Sequence, residues 1–208
     1  MNAQTFRMSL AGAAGAIEAL QDDPAELAKG VAVICHPHPL FAGTMDNKVV
    51  QTLARAFVQC GWRAIRFNFR GVGASAGVYD EGRGEADDLR RVIAQSAPTG
   101  STLAIAGFSF GSFVASQVLQ EAAQSHDLQK IVFIGTATQR FAVQPIPAQL
   151  HDKLLAVHGE NDDTVSLASV MDWARPQNLP ITVVPQGGHF FHGQLPLLRS
   201  LVVRHLNS

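Results

Sequence analysis

The chain has 208 residues, 47% hydrophobic and 16% charged, with 18 glycines, 10 prolines and a formal net charge of -1. A chain this long buries roughly 70% of the surface its unfolded form exposes, so it needs neither disulfides nor a structural metal; its composition excludes disorder, collagen and a disulfide scaffold. With 16 Lys and Arg against 17 Asp and Glu there is no basic surplus to neutralise phosphates, which argues against nucleic acid as a partner.

Cys35 and Cys60 read as two thiols of a reducing compartment. No stretch approaches the ~18 consecutive apolar residues of a membrane span. Arg7 and the apolar residues 8–17 faintly imitate an export signal, but the centre is Ala and Gly rather than Leu; a signal of that kind needs a stronger apolar run. A soluble, cytoplasmic protein of one domain over residues 1–208 is therefore expected.

In chain order, residues 5–10 and 16–20 flank Gly12 and Gly15 and predict an antiparallel hairpin at a sheet edge. Short runs rich in Val, Ile and Phe follow at 31–36, 64–69, 103–108, 131–135, 154–158 and 181–185. Between them lie stretches of helical period at 46–60, 84–97, 110–123, 165–175 and 191–206. This alternation predicts an α/β fold whose mostly parallel sheet carries crossover helices. The longest irregular piece, 136–152, is too short to be an inserted domain. In such sheets ligands bind outside the carboxyl ends of the strands, so the residues just after each strand carry the chemistry.

After the run 103–108 stands Gly107-Phe108-Ser109-Phe110-Gly111, and a helical stretch follows at once. A serine forced into a sharp strand-to-helix turn needs neighbours without side chains two positions before and after, and the turn lifts its hydroxyl clear of the backbone. Such a hydroxyl is a weak nucleophile and needs a base, oriented in turn by a carboxylate. Two later strand ends offer them: Gly159-Glu160-Asn161-Asp162-Asp163-Thr164-Val165, then Gln186-Gly187-Gly188-His189-Phe190-Phe191-His192. The order is Ser, Asp, His.

Together with Asn68-Phe69-Arg70-Gly71-Val72-Gly73-Ala74-Ser75 and His158-Gly159, these pieces resemble an α/β-hydrolase, most closely the small lidless bacterial enzymes related to dienelactone hydrolase. The resemblance runs from about Val31 to the end of the chain. It implies a three-layer sandwich around an eight-stranded sheet without a lid domain, with Ser109 as nucleophile, Asp162 as acid and His189 as base. The family pattern His-Gly-x-x-Asp-x-x-Val prefers Asp162 over Asp163 and Glu160, and a histidine soon after the last strand prefers His189 over His192.

An oxyanion hole takes one N–H from the residue after the nucleophile, here Phe110, and one from the loop after the third strand. That loop reads His36-Pro37-His38-Pro39-Leu40, with Pro37 where the family commonly has glycine. Proline has no N–H, so the second donor is His38 or Leu40, and counting on from His36 favours His38.

His36, His38, His189 and His192 could form a metal cluster, but no supporting ligand motif accompanies them; no metal and no cofactor is expected. Gly71-Val72-Gly73 lacks the spacing of a dinucleotide loop. Arg66 and Arg70 could bind an anionic substrate or form scaffolding ion pairs, and Asp87 and Asp88 suit a helix start. Phe41, Phe108, Phe110, Phe190 and Phe191 flank the candidate residues and divide between an apolar pocket and the core. The expected function is hydrolysis of small-molecule esters or thioesters by a monomer or homodimer. Acyl transfer, peptide hydrolysis or a purely binding role are the alternatives.

Overall fold

The computed structural model describes residues 5–208. Its strands are Thr5–Ala11 (β1), Ala16–Asp22 (β2), Val31–Cys35 (β3), Arg63–Phe67 (β4), Thr102–Phe108 (β5), Asp127–Ile134 (β6), Leu154–Gly159 (β7) and Ile181–Val184 (β8). They form one sheet in the order β1-β2-β4-β3-β5-β6-β7-β8. β1, β2 and β4 pair antiparallel, and every pair from β4 through β3 to β8 is parallel. The patterning explains the difference. β1 leaves most of its residues partly or fully exposed, whereas β3 buries all five of its residues, as a central strand covered on both faces must.

The helices are Lys48–Gln59 (α1), Arg83–Ser96 (α2), Phe110–Ser116 (α3), Leu119–Ser125 (α4), Leu167–Ala174 (α5) and Leu195–Asn207 (α6). α1 and α6 bury Val49, Leu53, Phe57, Leu198 and Val202 against one face. α2, α3 and α4 bury Leu89, Val92, Phe113, Val114 and Leu119 against the other. The result is the three-layer arrangement the sequence implies. Between β6 and β7 the only helical piece is a short 3-10 turn at Ala148–Lys153, so the cleft has no lid inserted there.

Two expected helices differ. The stretch 110–123 is broken at Gln117 and Val118, whose N–H groups bond three residues back to Val114 and Ala115 and tighten the turn. Ser116 Oγ donates to Phe113 O and accepts from Gln144 N at the same place, drawing the 136–147 loop onto the break. The stretch 191–206 becomes helical only at Leu195, because Phe191 and Gly193 have positive φ. α1 begins at Lys48, where the Asn47 side chain caps it by accepting from Val49 N.

Arg66 in β4 and Arg70 just beyond it serve the scaffold. Buried Arg66 pairs with Asp22 at 3.0 Å and with Asp46 at 3.2 Å. Arg70 Nε and Nη2 bind the two oxygens of Asp88 at 2.9 and 2.8 Å, and Arg70 N donates to the same carboxylate. Asp88 is buried inside α2 and holds the loop after β4, so its role is that pair rather than a helix dipole. Replacing one partner of a buried pair strands the other charge at a cost of about 3–5 kcal/mol. Asp88→Ala is therefore expected to lower the unfolding free energy in urea by about that amount; a loss below about 1 kcal/mol would place the pair among weak surface contacts.

Candidate active site

Ser109 sits between β5 and α3 at φ 56° and ψ -116°. This conformation is sparsely populated for a residue with a side chain and costs of order 1–3 kcal/mol. The surroundings enforce it. A Cβ on Gly107 would lie 2.5 Å from Gly111 C and O, and one on Gly111 would lie 2.3 Å from Cys35 O. Ser109 N donates to Ile134 O at 2.8 Å, and Ser112 Oγ to Gly107 O at 2.8 Å, which pins the turn on both sides.

The loops after β7 and β8 bring two of the named side chains to this serine. His189 Nε2 lies 3.0 Å from Ser109 Oγ, and His189 Nδ1 lies 2.7 Å from Asp162 Oδ2. A carboxylate only accepts, so Nδ1 carries the proton, Nε2 is the lone-pair nitrogen and the serine hydroxyl donates to it. Asp162 Oδ1 accepts from Thr164 N at 2.9 Å and Val165 N at 2.8 Å. Burial pushes the Asp162 carboxyl up, but the hydrogen bond and charge of His189 and the two backbone donors outweigh it, and the net direction is downward. The other candidates lie apart. Glu160 accepts from Gln186 N, Asp163 is exposed beside Thr164, and His192 is exposed beside Phe190.

Sequence reasoning missed how the loops are held. His158 is buried, and its Nε2–H donates to Val165 O at 2.9 Å, closing the loop that carries Asp162. His36 is buried after β3, where Nε2 accepts from Phe69 N at 3.0 Å and Nδ1 donates to Pro37 O at 2.6 Å. His36 thus joins the β3 loop to the end of β4. Both imidazoles are held neutral by burial, and His36 is pushed down to about 4. Their sequence signals were their place at strand ends and, for His158, the first position of the His-Gly-x-x-Asp-x-x-Val pattern.

In the β3 loop, Leu40 N donates to His38 Nδ1 at 3.2 Å. Nδ1 therefore accepts, and Nε2–H donates to Tyr79 Oη at 3.2 Å. Leu40's N–H is thus engaged, whereas those of His38 and Phe110 find no acceptor among the described residues. Both residues line one cleft of about 460 Å³ together with Ser109 and His189.

The cleft wall is largely aromatic. Phe41 and Phe190 are 68% and 42% exposed along it, and Phe110 and Phe141 close it from α3 and the β6 loop. Phe108 and Phe191 are core residues beneath the β5 and β8 ends. Phe141 was hidden in an irregular stretch without periodicity.

A family model described as serine aminopeptidase, S33, matches residues 43–161. The chain belongs to this family of α/β hydrolases. Over its whole length the chain also matches an α/β serine hydrolase without lid from Xanthomonas campestris, with 35% identity, TM-score 0.85 and 95% of that chain covered. An α/β serine hydrolase homologue from Coxiella burnetii is 34% identical, with TM-score 0.82 over 99% of this chain and 98% of that one. An uncharacterized protein of Rickettsia prowazekii is 33% identical over an aligned stretch of 150 residues; the match covers 68% of this chain and 60% of that curated relative's length. Like the Xanthomonas hydrolase, this α/β hydrolase has no lid over its sheet among the described residues.

The buried imidazoles make the hydrolase fold sensitive to acid. An unfolded histidine titrates near 6.5, whereas His36 and His205 are held down to about 4 by burial. Between those values the unfolded chain binds the extra protons, so stability rises with pH across this window. The urea midpoint should accordingly fall as pH drops from 6.5 towards 4, and less steeply in His36→Gln. An equal slope in that variant would remove His36 as a cause.

Proposed function

We propose that this α/β hydrolase cleaves carboxylic esters or thioesters through an acyl-enzyme intermediate on Ser109. The observation that carries the reading is the hydrogen-bonded line from Ser109 Oγ through His189 to Asp162, at 3.0 and 2.7 Å, at the floor of an apolar cleft. Ser109 Oγ attacks the carbonyl carbon as His189 Nε2 takes its proton. Asp162 holds the ring in the required tautomer and stabilises the imidazolium. The N–H groups of Phe110 and His38 receive the negative oxygen, each such donor contributing about 10²–10³ in turnover. The imidazolium then protonates the leaving alcohol or thiol. Water, deprotonated by the same nitrogen, attacks the acyl-enzyme and releases the acid.

Ester substrates fit the cleft better than free aminopeptides. An exopeptidase must hold the ammonium of a peptide N-terminus, which calls for a carboxylate or a ring of carbonyls. The cleft-lining residues include no Asp or Glu, and Arg140 is their one permanent cation. The open, lidless cleft suits small substrates in solution, with no cofactor and no metal.

The test is hydrolysis of p-nitrophenyl esters of increasing acyl length by wild type, Ser109→Ala and Asp162→Asn, with circular dichroism confirming folding. Turnover should drop by up to ~10⁶ in Ser109→Ala and about 10⁴ in Asp162→Asn. Full activity in Ser109→Ala would end the proposal. No turnover combined with no labelling of Ser109 by a fluorophosphonate would favour a binding role.

A further inference from the structure

Seven arginines of the described residues pair with carboxylates, among them Arg7 with Glu18, Arg63 with Asp23, Arg66 with Asp22, Arg70 with Asp88 and Arg90 with Glu121. Arg140 is among those that do not, and its place sets it apart. Among the described residues its guanidinium has no ion pair and no hydrogen bond, yet it lines the cleft that holds Ser109 and His189. Its only contact of note is with the ring of Phe41 on the facing wall, 5.6 Å from the centroid. No acidic side chain lines the cleft with it.

The backbone that presents Arg140 is tied on every side. Arg140 N and Phe141 N both donate to Ala137 O. Gln139 Oε1 accepts from Ser166 N at 3.0 Å, and the hydroxyls of Thr138 and Ser169 meet at 3.0 Å, anchoring the turn to the start of α5. On the other flank Phe141 stacks on Phe113, with ring centroids 4.7 Å apart and planes 16° apart. The fixed turn holds the base of the side chain at the cleft, so a ligand has to order only the side chain itself. Its field also reaches into the cleft, where burial first and the Arg140 charge second disfavour the His38 imidazolium.

A guanidinium is a planar fork of donors that matches a carboxylate with two parallel hydrogen bonds. An aromatic wall beside it takes an apolar spacer. We propose that Arg140 is an anion-binding residue of this cleft, and that the preferred substrates are esters whose non-reacting end, beyond an apolar segment, carries a carboxylate or similar anion. The inference rests on the ester-hydrolase reading above and narrows its substrate class.

Two pairs of esters test it. On the acyl side, mono-p-nitrophenyl adipate is compared with p-nitrophenyl hexanoate; on the alcohol side, p-acetoxybenzoate is compared with phenyl acetate. Wild type should favour the anionic member of at least one pair in kcat/KM. Arg140→Gln should lower that anionic-to-neutral ratio about tenfold, mainly through KM, and Arg140→Lys should recover part of it. Added salt should erode the preference in wild type and not in Arg140→Gln. A ratio that Arg140→Gln leaves unchanged in both pairs would overturn the inference while leaving the hydrolase reading intact. Equal hydrolysis by wild type and Ser109→Ala would instead overturn the hydrolase reading and this inference with it; no hydrolysis of any of the four esters would overturn this inference, and the hydrolase reading as well if a fluorophosphonate also fails to label Ser109. Because Arg140 is exposed, the variant should fold as wild type does, which circular dichroism checks.

Discussion

No side chain fits between the start of α3 and the end of β3. At Gly111 a Cβ would sit 2.3 Å from Cys35 O and 2.7 Å from His36 O, so the helix that follows Ser109 lies directly on the backbone that begins the β3 loop. This one close approach sets two things at once. It forces the chain to turn sharply at Ser109, and it holds the amide-bearing β3 loop beside the serine hydroxyl. Every other part of the site is positioned relative to that joint. His36 extends the same joint to β4 by accepting from Phe69 N. The Arg70 pair with Asp88 then fastens the β4 loop to α2.

The second half of the site depends on a buried carboxylate with a full set of donors. Asp162 accepts from two backbone N–H groups and from His189, so its charge is compensated without any cation from Lys or Arg. A buried charge left short of partners would instead protonate or unfold the loop. His158 completes the arrangement from beneath by closing the loop through Val165 O. Its ring, held neutral by burial, lies with Nε2 3.6 Å from Asp162 Oδ2, the oxygen that also receives His189.

The parts of this molecule that were legible in the sequence are those written in local pattern. Runs rich in Val and Ile such as 31–36 announced parallel strands, and glycines two residues either side of Ser109 announced a turn that tolerates no side chains there. Strand ends, where the fold gathers loops from distant parts of the chain, narrowed the serine, carboxylate and imidazole to a few candidates, and the resemblance to α/β-hydrolases chose Asp162 and His189 among them. What stayed hidden depends on contacts across the sheet. Nothing local to Arg70 and Asp88 says that they pair, and the break at Gln117 follows from the way Ser116 receives Gln144 from a loop without periodicity. Phe141 and Arg140 lie in that same loop, so their place on the cleft wall is a product of tertiary packing alone. The start of α6 was misplaced because the helical period of 195–206 was carried back to Phe191, while Phe191 and Gly193 have positive φ and turn the backbone the other way.

The torsion at Ser109 bears on how this chain responds to selection. Glycine occupies positive φ without the steric cost a serine pays, so a Ser109→Gly chain should be held together more firmly than the natural one, by up to about 1–3 kcal/mol. Screening random variants for heat resistance alone would favour glycine at this position and discard the hydroxyl that faces His189. Thermal robustness and chemistry pull in opposite directions at a single residue, and any scheme for hardening the protein has to shield that residue from its own success.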